Sequence, residues 1–114
     1  MRTALIVLIL LIANAASGQV LEINIWDPEP GKSTLTFQYG AEAKAIMEKL
    51  GTGVEINVDQ FGKVHYVTNF ESWEAWGAFQ AKLAASKEWD AFYAPYLANP
   101  TAELVQTYMG TMVP

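Results

Sequence analysis

The sequence predicts a small α+β domain, and the spacing of its apolar residues supports this class. Apolar residues alternate with other residues, the period of a β-strand, in four short segments: residues 20–26, 54–59, 63–70 and 102–109. Between the first and second segments, and again between the third and fourth, the spacing follows the 3.6-residue period of an α-helix. The chain has 114 residues, which is enough for one domain.

The first half of this domain is a strand, a helix and a second strand. One face of the first strand is apolar and consists of Leu21, Ile23 and Ile25. Two prolines and a glycine within residues 27–31 are expected to end it. Ser33 or Thr34 is expected to cap the first helix, which runs to Leu50 and stops at the glycines that follow.

The second half begins with a tight connection at residues 60–62, which joins the second and third strands into a hairpin. Asn69 or Ser72 caps the next helix, and residues 86–88 are expected to interrupt it. Alternation in the last strand divides its side chains between two faces, with Ala102, Leu104, Gln106 and Tyr108 on one and Val105 and Met109 on the other.

The resulting order is β-α-β-β-α-β with a broken second helix. This is the order of the ferredoxin-like fold, a four-stranded antiparallel sheet with helices on one face. The strands carry apolar or aromatic residues on both faces, as Ile23 and Trp26 illustrate in the first strand. A bare apolar sheet face usually associates, so we expect a homodimer packed sheet to sheet.

Composition excludes several functions. The formal net charge is −5, and the acidic residues are scattered, which argues against binding to nucleic acid or to anionic membranes. The chain has no cysteine, hence no disulfide and no thiolate nucleophile. With His65 as the only histidine, we expect no metal site.

Residues 1–18 have the layout of a cleavable signal peptide. Arg2 precedes an uninterrupted apolar run from residue 4 to residue 12, and small residues follow at 13–18. The run is shorter than the ~20 residues that a membrane span requires. We therefore expect an exported protein, periplasmic or extracellular, whose mature domain is residues 19–114 and has no membrane span.

Two features of the mature domain bear on chemistry. His65 lies on a strand and is the only side chain whose ordinary pKa suits a general base at neutral pH; a structural role beside a local partner is the alternative. Aromatic residues recur along the second helical segment. They indicate packing against the sheet or, alternatively, an apolar cavity for a flat ligand, with Trp26, Tyr66, Trp76 and Tyr93 as its expected lining.

The motif of residues 70–79 (Phe-Glu-Ser-Trp-Glu-Ala-Trp-Gly-Ala-Phe), followed by Ser-Lys-Glu-Trp at 86–89, resembles NIPSNAP-type members of the dimeric α/β-barrel superfamily. Relatives in that superfamily include antibiotic-biosynthesis-type and haem-degrading monooxygenases. The resemblance implies a dimeric barrel and gives Asn24 and Trp76 the places of two residues that the haem-degrading members use. Their histidine ligand has no counterpart in residues 88–93, so no haem and no other cofactor is expected.

These observations leave three functions open. The first is an exported dimer that binds a small apolar or aromatic molecule between sheet and helices. The second is a cofactor-independent monooxygenase-like enzyme acting on a small organic substrate through Asn24 and His65, so the sequence alone does not decide whether the protein is an enzyme. The third is a structural or interaction protein that uses its sheet face.

Overall fold

The computed structural model describes residues 19–113, and its order of elements confirms the predicted α+β class. The elements are β1 (Val20–Pro28), α1 (Ser33–Lys49), β2 (Gly53–Val58), β3 (Val64–Phe70), α2 (Trp73–Ala85), α3 (Lys87–Ala98) and β4 (Ala102–Thr111). The signal peptide predicted at residues 1–18 lies outside the described part of the chain. Between residues 19 and 113, no helix combines the length and the apolar character needed to span a membrane.

The strands form one antiparallel sheet in the order β2-β3-β1-β4, as the ferredoxin-like pattern predicts. Strand β1 is therefore central, with β3 on one side and β4 on the other. Alternate residues of β3 are buried, namely Val64, Tyr66, Thr68 and Phe70. These residues pair with Trp26, Asn24, Glu22 and Val20 of β1. We call this side, on which the three helices pack, the helix face, and the opposite side the open face.

The apolar side of β1 lies on the open face. Ile23, at its centre, pairs with Val67 of β3 and Tyr108 of β4. Paired residues project to the same side of a sheet, so these three side chains form an apolar strip away from the helices. Leu21 and Ile25 extend the strip along β1 because they lie two residues to either side.

A β-bulge in β4 makes the predicted alternation of this strand wrong. Ile25 pairs with Gln106 whereas Trp26 pairs with Leu104, so Val105 is an extra residue in the ladder. The bulge reverses the faces beyond it. Leu104 therefore lies on the helix face, while Gln106 and Tyr108 lie on the open face.

Two further boundaries differ from the sequence prediction. Strand β1 continues to Pro28, which pairs with Ala102; the proline is tolerated because the ladder to β3 has already ended at Trp26. Helix α1 begins after Lys32, which accepts the hydrogen bond of the first turn without a side-chain cap, so neither Ser33 nor Thr34 is the cap. The turn at Gly31, with φ of 79°, sets this earlier start.

The break between the second and third helices follows from capping. Ser72 Oγ accepts the backbone N–H of Ala75 at 3.1 Å, and Ser86 Oγ accepts that of Trp89 at 3.1 Å. Each serine satisfies an N–H group that the first turn of a helix leaves free. Because Ser86 has extended backbone angles, it ends α2 and begins α3 at the same residue.

The core consists of two small clusters rather than one continuous layer. Val20, Phe70 and Phe79 form the first, beneath α2. Ala43, Val54 and Tyr66 form the second, beneath α1 and α3. Met47 of α1 packs against both clusters. A cavity lies beside the second cluster.

Candidate functional site

A cavity of about 280 Å³ lies between the helix face of the sheet and helices α1 and α3. Its lining has contributions from all three helices and from β1, β3 and β4. Seven aromatic side chains line it: Trp26, Tyr39, Tyr66, Trp89, Phe92, Tyr93 and Tyr96. The remaining lining is mostly aliphatic, with Glu22, Asn24 and Thr36 as further polar members.

The aromatic wall comes mainly from α3. Trp89, Phe92, Tyr93 and Tyr96 follow at spacings of three and four residues, which places them on one side of the helix. Trp89 stacks on Tyr93 with ring centroids 5.1 Å apart and an interplanar angle of 22°. Across the cavity, Tyr39 meets Tyr96 edge-on at 5.2 Å, and Trp26 meets it at 6.2 Å. These edge-to-face contacts hold the rings in fixed orientations.

The floor of the cavity contains a hydrogen-bonded chain centred on Glu22. The indole Nε1–H of Trp76 donates to Glu22 Oε1 at 2.9 Å. The Asn24 amide donates to Glu22 Oε2 at 3.5 Å, and the Thr107 hydroxyl donates to Asn24 Oδ1 at 2.7 Å. The chain thus connects α2, β1 and β4. It holds a carboxylate in place at the cavity without a cation beside it, since no Lys or Arg belongs to the lining among the described residues.

Tyrosine hydroxyls supply neutral donors. Burial raises the pKa of Tyr66, and the nearby charge of Glu48 raises it further. Burial also raises the pKa of Tyr93, with a second contribution from Tyr96. Both hydroxyls therefore stay protonated at neutral pH and act as hydrogen-bond donors, and the Tyr66 hydroxyl donates to Met47 Sδ at 3.6 Å.

The structure brings four of the six predicted site residues to this cavity: Asn24, Trp26, Tyr66 and Tyr93. Trp76 is not in the lining; it packs against the Phe79 cluster and reaches the site through its hydrogen bond to Glu22. The aromatic residues differ in burial, and several of them line the cavity. Phe79 and Tyr96 are buried, while most of the α3 aromatic side chains border open space.

His65 lies on the open face and not in the cavity. It pairs with Ile25 and Asn57, which share that face, and its Nε2 lies 2.9 Å from Asp59 Oδ2. Asp59 also accepts the backbone N–H groups of Phe61 and Lys63 at the hairpin turn. The hydrogen bond from His65 is the main reason that the pKa of Asp59 lies below its usual 3.8. His65 thus stabilises a turn, and it does not share a site with Asn24.

Sequence reasoning missed Glu22, the one charged side chain of the lining among the described residues. The sequence shows that Glu22 alternates with Asn24 and Trp26 on the first strand. It does not show which side of that strand the helices cover. Only the pairing of β1 with β3 and the lining of the cavity identify Glu22 as a site residue.

The fold and the cavity define a ferredoxin-like α+β protein with an aromatic pocket on its helix side. Solved structures of NIPSNAP family proteins and of antibiotic biosynthesis monooxygenase-like proteins share this fold. A NIPSNAP family protein of unknown function from Agrobacterium tumefaciens superposes with a TM-score of 0.66 at 18% identity, over 85% of this chain and 88% of that one.

A NIPSNAP domain protein from Burkholderia xenovorans gives 0.65 at 18% identity, over 83% and 93% of the two chains. A protein described as a candidate antibiotic biosynthesis monooxygenase from Bordetella bronchiseptica gives 0.63 at 18% identity, over 85% and 99%. No protein-family model and no curated protein matches the sequence. The resemblance inferred from residues 70–89 is thereby confirmed as a shared fold.

The hydrogen bond between Trp76 and Glu22 can be tested by replacing Trp76 with Phe. We expect the free energy of unfolding to fall by about 2–3 kcal/mol, because the change removes a donor to a carboxylate and leaves a small void. Urea denaturation measures this loss. The matched control is Trp73→Phe, since Trp73 contacts Trp76 edge-on but is 52% exposed; we expect a loss under about 0.5 kcal/mol. Equal losses in the two variants would contradict this assignment.

Proposed function

We propose that this protein binds a small apolar or aromatic molecule in the cavity between its sheet and its helices. The observation that carries the proposal is the size of the cavity together with its lining. The cavity is concave and open to solvent on one side, as ligand sites commonly are. A volume of about 280 Å³ is roughly nine times the ~30 Å³ that one water occupies in the liquid. Seven aromatic side chains around such a volume form a binding pocket rather than a packing defect.

The volume sets the size of the ligand. An apolar cavity of about 150 Å³ accommodates benzene in another protein. The present cavity therefore suits a molecule of one to two rings, or an alkyl chain of similar volume. Aromatic rings in the lining, Trp89 and Tyr93 among them, favour a planar ligand.

The open face of the sheet supports a homodimer. Its centre is an apolar strip of Leu21, Ile23, Ile25, Val67 and Tyr108. Tyr108 is 43% exposed although it lies in the middle of a strand. A single-layer sheet of this kind gains stability when the strip is covered, and a second copy would cover it by a self-complementary two-fold contact.

Export is part of the same proposal, and its basis is the sequence of residues 1–18. The described domain is consistent with cleavage at their end. Gln19 already belongs to the fold, since its carbonyl accepts the backbone N–H of Met112 at 2.9 Å, and β1 begins at Val20. A chain cleaved just before Gln19 would keep every strand of the sheet.

The second candidate, a cofactor-independent monooxygenase-like enzyme, is favoured by the polar groups at the cavity floor and by fold neighbours described as candidate antibiotic biosynthesis monooxygenases. Its general base would be Glu22 and not His65, because only Glu22 lies beside Asn24 at the cavity. The third candidate, an interaction protein, depends on the same open face as the homodimer. It gains support if the isolated protein is monomeric.

Blocking the cavity tests the binding proposal. Leu104 lines the cavity from the edge strand and is 46% exposed, so Leu104→Trp is expected to fill its open side without disturbing the core. We expect the affinity for 2-naphthylmethanol, a neutral two-ring probe, to fall at least tenfold by calorimetric titration. In the control Leu97→Trp, at a 59% exposed residue of α3 outside the lining, affinity should be unchanged. Absence of binding by the unmodified protein would overturn the proposal.

Placing a charge on the open face tests the homodimer. Ile23→Lys puts an ammonium group at the centre of the apolar strip, where a sheet-to-sheet contact would bury it without a partner. We expect light scattering to give a dimer mass for the unmodified protein and a folded monomer for the variant. Leu35→Lys, at a 41% exposed residue of α1, is the control and should remain dimeric. A monomer mass for the unmodified protein at micromolar concentration refutes the dimer.

Export is tested by sequencing the N-terminus of the protein recovered from outside the cytoplasm. We expect the mature chain to begin between Ala16 and Gln19, because the small residues that signal peptidases require lie there. A recovered chain that still begins at Met1 rules out cleavage.

A further inference from the structure

Within residues 19–113, the cavity lining combines one carboxylate with seven aromatic rings and contains no basic side chain. Among the described residues, Glu22 is the only charged member of the lining. Its neighbours there are aromatic rings, aliphatic groups, amide and hydroxyl groups. The electrostatic character of the site therefore depends on one negative charge in largely apolar surroundings, where charge interactions are stronger than in water.

Glu22 has capacity for a further hydrogen-bond donor. A carboxylate offers about four acceptor positions on its two oxygens. Trp76 occupies one on Oε1 at 2.9 Å, and Asn24 occupies one on Oε2 at a long 3.5 Å. These two bonds fix the orientation of the group and leave acceptor positions free. A donor entering from the cavity would complete the set.

The aromatic rings favour the same kind of ligand. The face of an aromatic ring carries partial negative charge and attracts a cation placed within about 6 Å. Seven aromatic rings belong to the lining of this cavity among the described residues, and an ammonium group bound beside them would be attracted to their faces. An anionic ligand, in contrast, would meet Glu22 without any Lys or Arg of the lining to offset the repulsion.

We propose that the ligand of this cavity is a cationic amine, whose ammonium group binds Glu22 while its apolar part contacts the aromatic rings. The proposal rests on the proposed binding function and specifies its ligand class. It also accounts for the position of Trp76, which lies outside the cavity but orients the carboxylate that faces the amine. The net charge of −5 on the whole chain favours the approach of cations.

The experiment compares probes that share one ring system and differ in charge. The amine 2-naphthylmethylammonium, the neutral 2-naphthylmethanol and the anion 2-naphthoate are each titrated into the unmodified protein at neutral pH. We expect the amine to bind at least tenfold more tightly than the alcohol, and the naphthoate to bind most weakly. Preference for the alcohol or the anion would overturn the cation assignment, and this comparison needs no variant.

Glu22→Gln then tests the residue. Glutamine keeps the size and can still accept the Trp76 hydrogen bond, so we expect the amine to lose much more affinity than the alcohol, and the preference for the amine to disappear. Glu42→Gln removes the same charge from an exposed residue of α1 outside the lining and should keep the preference. A preference that survives in Glu22→Gln refutes the role of this carboxylate.

If none of the probes binds the unmodified protein, the binding function itself fails. If the alcohol binds but the amine binds no better, only the ligand class fails.

Discussion

The hydrogen bonds of one carboxylate on the helix face of the central strand connect three elements of the domain. Glu22 accepts from Trp76 of α2 and Asn24 of β1, and Asn24 in turn accepts from Thr107 of β4. Glu22 is half-buried, and these bonds fix the orientation of its carboxylate and keep the indole of α2 beside it. Above the cavity, α1 and α3 contact each other through Tyr39 and Tyr96, and beside it both helices pack on Tyr66 of β3.

The central position of β1 gives the domain two different surfaces, which carry the two proposed functions. Its side chains alternate, so Glu22, Asn24 and Trp26 face the cavity while Leu21, Ile23 and Ile25 form the apolar strip on the other side. One strand separates the two surfaces, which lie on opposite faces of the same sheet layer. Covering the open face with a second copy would therefore leave the cavity accessible, and filling the cavity would leave the strip unchanged. A small chain without disulfides thus has room for both a binding site and a subunit contact.

The sequence predicts the order of elements well because local signals specify it. Ser72 and Ser86 act as caps where expected, and the break between α2 and α3 follows from Ser86. Features that depend on pairing between strands cannot be predicted from such local signals. The bulge at Val105 reverses the faces of β4. The apolar side of β1 lies on the open face, and the alternation of its residues does not show which side the helices cover. The same limit applies to His65, whose chemistry is evident in the sequence but whose face is not.

The candidate site was likewise predictable only in part from the sequence, and Glu22 is the residue that the prediction missed. Four of the six predicted residues reach the cavity because aromatic side chains and an amide on alternating strands or on one helix stripe tend to converge. Glu22 is an exception. An apolar residue at this position would pack beneath the helices at a lower cost in free energy than a carboxylate, which needs two hydrogen-bond donors. Local choices in a protein usually agree with its fold, and departures concentrate where function requires them. A charge with free acceptor positions, set among aromatic rings that are themselves suited to cations, is such a departure. The proposed cationic ligand would supply a compensating partner, which the described lining does not contain.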